Sequence, residues 1–173
     1  MLTAAYPHQA ALNAVLAKHV NSPRLDYLFG SSWSPFVFEI PPDDWKSINC
    51  VSLNNAGEVV GFLRATLDRD HYGVTSLSVV RFGESPEDRG VFLADFRAFM
   101  RDLIVRRFES IHWIMVVGNP AEAMYDRAVR DGIARIVGTK RRACRLRTGE
   151  IADIKLYEII PSEAPDAFLE TSP

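Results

Sequence analysis

The chain has 173 residues, 47% of them hydrophobic and 24% charged, enough apolar material for one domain with its own core. With 20 Lys and Arg against 22 Asp and Glu, the net charge is −2, so no global field draws the chain to nucleic acid or to an anionic membrane. The two cysteines, Cys50 and Cys144, lie far apart in apolar, strand-like settings with no CxxC or Cys/His grouping, which reads as buried free thiols and excludes a cysteine-based metal site.

The N-terminal stretch MLTAAYPHQAALNAVLAKHV lacks the basic segment and apolar core of a secretory signal, and no run reaches the ~20 apolar residues of a membrane span. A cytoplasmic protein is expected. Within residues 7–20, Ala10, Leu12, Val15, Leu16 and Val20 recur at helical spacing. Ser22-Pro23 then reads as a cap and first helical position, with Leu25, Tyr27, Leu28 and Phe29 following. Trp33–Trp45 carries Pro35, Pro41 and Pro42 among aromatics and reads as a loop or edge strand, because proline cannot donate to an interior ladder. It either lines an acceptor site or covers the core.

Three strands are expected next, at 48–54, 58–68 and 74–80, joined by the turns Asn55-Ala56-Gly57 and 69–73. The apolar period then lengthens. In 86–106, Val91, Phe92, Phe96, Phe99, Met100, Leu103 and Ile104 make one stripe, with Asp88, Asp95, Arg97, Arg101 and Asp102 mostly off it, so a long helix with one buried face is predicted. IHWIMVV, 111–117, is a continuous apolar run that predicts a strand buried on both faces. Gly118-Asn119-Pro120 opens a second helix, and Asp131-Gly132 closes it. Residues 133–139, 141–147 and 153–160 read as strands, with a turn at Thr148-Gly149-Glu150. The expected fold is α/β (α+β), one mixed, mostly antiparallel sheet with helices on both faces. It forms a single domain over 1–161, with a tail at 162–173.

The stretch RFGESPEDRGVF, Arg81–Phe92, joins the third strand to the long helix. Ser85 suits an N-cap, Pro86 the first helical position, and Glu87 and Asp88 the first turn, so a well-capped helix start explains the stretch by itself. A strand leading into a helix N-terminus is also where a phosphate can rest. Both readings stand. Glu58, Asp68, Asp70 and His71 flank the meander, His71 reading as a turn residue and His112 as a structural histidine within its strand. Lys140, Arg141, Arg142, Arg145 and Arg147 form the strongest charge cluster, with Arg141, Arg145 and Arg147 on one face by strand alternation. They make either a solvated edge or a patch for an anionic partner. Interleaved aromatics are missing, so a single-stranded nucleic-acid platform is unsupported.

The order of elements resembles the acyl-CoA-dependent N-acyltransferase superfamily, the GNAT fold, over nearly the whole chain. GEVVGFLRA is similar to its central antiparallel strand and TSLSVV to the strand before its cofactor loop. VVGNPAEAMYDRAVRDGIARIVGT is similar to its N-x-x-A…Y…G-F…G segment, and RTGEIADIKLYEII to its last hairpin. The resemblance implies transfer of an acetyl group from acetyl-CoA to a primary amine, on a small molecule or a protein. The backbone of Val79 and Val80 would hold the pantetheine arm. Arg81, Arg89, Gly90 and Val91 would hold phosphate, and Asn119 either bonds that arm or caps a helix. Tyr125 would return a proton to the departing thiolate, or else is a core tyrosine. Against the family's loop pattern, Glu87 replaces a polar or basic residue and Phe92 a small one. The resemblance leaves a homodimer or larger assembly open. Its rival is a protein of this fold that has lost the cofactor and acts as a structural or protein-interaction module.

Overall fold

The structure, a computed structural model, describes residues 1–19, 22, 27, 39–106, 108–146 and 148–163. The helix start expected at Pro23, most of the stretch from Trp33, Arg147 and the tail beyond Glu163 lie outside these residues. The chain runs β1 (Leu2–Ala4), a 3-10 turn (Tyr6–His8), α1 (Gln9–His19), β2 (Ser47–Leu53), β3 (Val59–Asp68) and β4 (Gly73–Arg81). It continues through α2 (Pro86–Val105), β5 (Ile111–Val116), α3 (Glu122–Arg130), β6 (Arg135–Arg145) and β7 (Ile151–Ile159).

Among the described residues the strands form one seven-stranded sheet in the order β1-β2-β3-β4-β5-β7-β6. Every neighbouring pair is antiparallel except β4 and β5, which are parallel. This is the mixed, mostly antiparallel sheet that the strand spacing predicts. β1 escapes prediction because three residues show no period; it exists by pairing Leu2 with Ser52 and Ala4 with Cys50.

Strand alternation in β3 divides the core. Phe62 points to the face covered by α1, where Leu12, Leu16, Val51, Val80 and Phe82 join it. Leu63, Ala65 and Leu67 point to the other face, beneath Phe99, Met100 and Leu103 of α2 and Tyr125 of α3. Fully buried large side chains among them, such as Phe62, Leu63 and Phe99, are worth roughly 1.5–3 kcal/mol each. Close approach in this second cluster demands Gly61: a Cβ there would sit 2.2 Å from Phe92 Cδ2. Asp95 is an unexpected member of the buried face of α2. It accepts a 2.6 Å hydrogen bond from Ser52 Oγ, which answers its burial.

Three expectations need correction. β5 is not buried on both faces: His112 is half-buried and Ile114 is 60% exposed, on the face where Val116, at the far end of the strand, packs with Cys144, Leu146 and Tyr27. The strands expected at 133–139 and 141–147 are one strand, β6, whose register shifts between Lys140 and Cys144, with Arg142 at φ +50°. That irregularity takes Arg141 out of the ladder, so alternation does not place it on a face with Arg145. β6 is nonetheless a sheet edge carrying its cations, as the edge reading expects. Both thiols are free, Cys144 buried and Cys50 half-buried, and burial pushes the Cys50 thiol up to about 11. Among the described residues no helix is long and apolar enough to cross a membrane.

Candidate active site

β4 and β5 meet at one ladder pair, Val74 with Ile111. The register of β3 on β4 explains why they part. Leu67 pairs with Val74 and Thr66 with Ser76, so Thr75 is an extra residue, exposed and unmatched. Such a bulge bends its strand. From Thr75 onward β4 stays on β3, whereas β5 stays paired with β7 from Ile111↔Ile159 to Val116↔Ile154. Between them a gap opens, bordered by backbone groups that form no ladder across it among the described residues. Unpaired backbone donors and acceptors are what an extended ligand can use.

The far end of β4 runs through Arg81 into α2. Here the capped-helix reading is realised atom by atom. Ser85 Oγ accepts the Asp88 amide at 3.0 Å, Ser85 O accepts the Arg89 amide, and Pro86 occupies the first helical position. The amides of Phe82 and Gly83 both donate to Val60 O. The acids are structural too. Asn54 Nδ2 donates to Asp88 Oδ1 at 3.2 Å and Asn55 Nδ2 to Glu87 Oε1 at 3.0 Å, tying the β2–β3 turn to the helix. Gly83 is required by this packing: a Cβ there would lie 2.4 Å from that of Asp88. Phe92, which stands where the family has a small residue, turns inward onto Gly61. Arg89, Gly90 and Val91 lie inside the first turns of α2, not in a loop before it. Arg89 and Gly90 are exposed, and Gly90 has open space where a side chain would stand.

Tyr125 comes from α3 and rests on the sheet face that α2 also covers. Its ring centroid lies 5.5 Å from that of Trp113 in β5 and 5.7 Å from that of Tyr157 in β7. It is 9% exposed, and its hydroxyl has no hydrogen-bond partner among the described residues. Burial, reinforced by Tyr157, holds its pKa well above the ordinary phenol value. The phenol therefore keeps its proton at neutral pH.

No family model matches the sequence, and no curated protein matches it. Solved structures do resemble it. A spermidine N-acetyltransferase from Vibrio cholerae, solved with CoA and spermine, superposes with a TM-score of 0.69 at 16% identity, covering 94% of this chain and 96% of its own. A GCN5-related N-acetyltransferase from Kribbella flavida gives 0.67 at 15% identity, over 91% and 95%. A GNAT-family protein from Chromobacterium violaceum gives 0.66 at 19%, over 94% and 87%. The chain has the GNAT fold.

Within this GNAT fold the sequence-based candidates divide. Val79, Val80 and Arg81 lie along the end of β4, Val80 with its side chain in the core under α1. Asn119 sits between β5 and α3, where its Oδ1 accepts the Ala121 amide at 2.9 Å and its carbonyl accepts the Glu122 amide. Its cap-like role is filled, although the N-cap of α3 is Ala121. His71 is the turn residue expected, its Nδ1 2.8 Å from Asp68 Oδ2.

Sequence reasoning misses the polar cluster that holds α3 in place. Lys155 Nζ of β7 lies 2.7 Å from Glu122 Oε1 and 3.2 Å from Asp126 Oδ1, and Tyr157 donates to Asp126 Oδ1 at 2.9 Å. Glu122 also accepts the Gly118 amide. The lysine first, then that amide, lowers the Glu122 pKa; Tyr157 leads in lowering that of Asp126. Tyr157 is pushed up to about 12 by burial and then by Asp126. The spacing of Glu122 and Asp126 on one helix face is visible in sequence. Their partner, some thirty positions away on another strand, is not.

Proposed function

We propose that this GNAT-fold chain is an acyl-CoA-dependent N-acyltransferase that moves an acetyl group from acetyl-CoA to a primary amine of a small molecule or protein. One observation carries the reading: the parallel strands part at the Thr75 bulge, and Tyr125, which keeps its proton and whose hydroxyl has no partner among the described residues, packs on Trp113 of the strand that borders the gap. Acetyl-CoA would bring an activated thioester carbonyl. The β4 backbone at the half-buried Val79 and the buried Val80, on the edge not paired with β3, suits its extended amide-bearing arm. The cations Arg81 and Arg89, with the open surface at Gly90 and the half-buried Val91, suit its phosphates. Asn119 keeps its amide group for the same arm, since its oxygen is engaged. Tyr125 would give its proton to the departing sulfur as the amine forms its bond to carbon.

The start of α2 favours a second reading, a GNAT-fold protein without cofactor that serves as a structural or interaction module. The amides of Phe82, Gly83, Asp88 and Arg89 are spent internally, and two carboxylates stand at the helix start. Acetyl-CoA titration by calorimetry and thermal shift separates the two. The enzyme reading expects saturable binding and a melting temperature that climbs with ligand by mass action. No binding at millimolar acetyl-CoA leaves only the module.

A further inference from the structure

His112 and Trp113 are successive residues of β5 just past the Val74–Ile111 pair, so they point to opposite faces of the sheet at the apex of the gap. Trp113 points into the core and carries Tyr125 on its ring. His112 points to the other face, and its side chain is 42% exposed. Its Nε2 lies 3.5 Å from Glu158 Oε1 on the paired residue of β7. Glu158 is 8% exposed and is itself held by Arg135 Nε and Nη2, each 2.5 Å from Oε2. His112 Nδ1 has no partner among the described residues. The arrangement is a base oriented by a carboxylate that a third group anchors in turn. A separation of 3.5 Å is ordinary for such a pair before substrate tightens it.

We infer that His112 is the general base of the proposed acyl transfer, working from the face opposite Tyr125, with Glu158 as its positioning residue. The inference rests on the acyltransferase reading. With α2 and Tyr125 on one face, the thioester lies toward that side, and the acceptor amine enters from the open face. An amine is mostly ammonium at neutral pH and must shed a proton to attack. His112 Nδ1 takes one ammonium proton, freeing the lone pair that forms the C–N bond, and the second N–H proton leaves the tetrahedral nitrogen to solvent as the intermediate collapses. The C–S bond breaks with its electron pair going to sulfur, Tyr125 protonates that sulfur, and the phenolate regains a proton from solvent. The imidazolium then returns its proton to solvent, Glu158 steadying its charge. Glu158 from β7, and Arg135 from β6 behind it, are the charged groups at this cluster among the described residues; β4 offers only Thr75 and Ser76 at this level.

The test uses the full chain, acetyl-CoA, and a panel of four amines: an aliphatic amine, an amino-acid amide, a polyamine and a lysine peptide. Thiol release is followed across pH, with acetyl-CoA affinity by calorimetry. His112→Gln should lower kcat about 100-fold, a typical general-base contribution. It should also leave acetyl-CoA affinity unchanged and abolish the acidic limb of the pH–rate profile. Glu158→Gln should displace that limb. Nitrogen NMR of the wild-type imidazole should find the neutral tautomer with its proton on Nε2. A His112→Gln enzyme with unchanged kcat and limb overturns the inference, as does a proton resident on Nδ1. Wild type that binds no acetyl-CoA overturns the acyltransferase reading itself, and this inference with it.

Discussion

Tyr125 and Trp113 meet at 5.5 Å with their rings tilted by 49°, and this contact sets the phenol over the strand that borders the gap. Ring packing and hydroxyl chemistry can therefore be separated. Tyr125→Phe keeps the ring and removes the proton. Within the proposed reaction it should cost about 100-fold in kcat with little change in acetyl-CoA affinity. Thermal stability should stay nearly unchanged, since no described residue bonds that hydroxyl. Unaltered turnover would remove Tyr125 from the mechanism.

The packing of Gly61 against Phe92 makes a prediction about stability alone. Gly61→Ala places a methyl group 2.2 Å from the Phe92 ring and should destabilise by about 1–3 kcal/mol. In the Phe92→Leu background the same change should cost less, because the clashing ring is gone. Thermal melts of the four proteins in this cycle give the coupling. Simple additivity would show that the two side chains do not compete for this space.

At the start of α2, Ser85→Ala removes the cap on the Asp88 amide and should cost about 1 kcal/mol. For a chain of this size that lowers Tm by about 2–4 °C. Glu87→Gln should instead tighten acetyl-CoA binding, by withdrawing a negative charge from the helix end proposed to face phosphate. Weaker binding in Glu87→Gln would place the phosphates elsewhere.

The cluster of Lys155, Glu122 and Asp126 ties acid stability to the position of α3. Both carboxyls have lowered pKa values in the folded chain, from ordinary values of 4.5 and 3.8. A lowered folded pKa contributes stability above the unfolded value, and that stability is lost as pH falls through the folded one. Lys155 is raised in the folded chain, so its share is present at neutral pH and lost only in strong alkali. Lys155→Met should thus be less stable than wild type at pH 7, with the difference shrinking below about pH 4 as the carboxylates protonate. Urea melts across that range measure it; a constant difference would mean that the lysine acts through packing.

Much of this protein was legible from its residues. The change of apolar period after Val80 separates meander from helix. Ser85-Pro86-Glu87-Asp88 announces a helix start, and the structure places that start where the caps say, because capping depends on atoms within a few positions of one another. Gly132 ends α3 at φ +72°, again a local requirement. Tyr125 could be singled out through its place in a resemblance, but not told apart from a core tyrosine.

What only the tertiary structure decided depends on distant chain meeting distant chain. That Glu87 and Asp88 tie the start of α2 to the β2–β3 turn depends on Asn54 and Asn55, residues far away in the chain. Whether Phe92 blocks or packs is settled by Gly61. The Thr75 bulge has no sequence mark, since an extra residue in one strand is defined by the count in its partner. His112 looks buried in an apolar run, but the tertiary packing leaves its side chain 42% exposed beside Glu158. Period and capping are properties of neighbours along the chain, so they survive in sequence. The gap between β4 and β5, and the chemistry its two faces can perform, are properties of register, which belongs to pairs of strands.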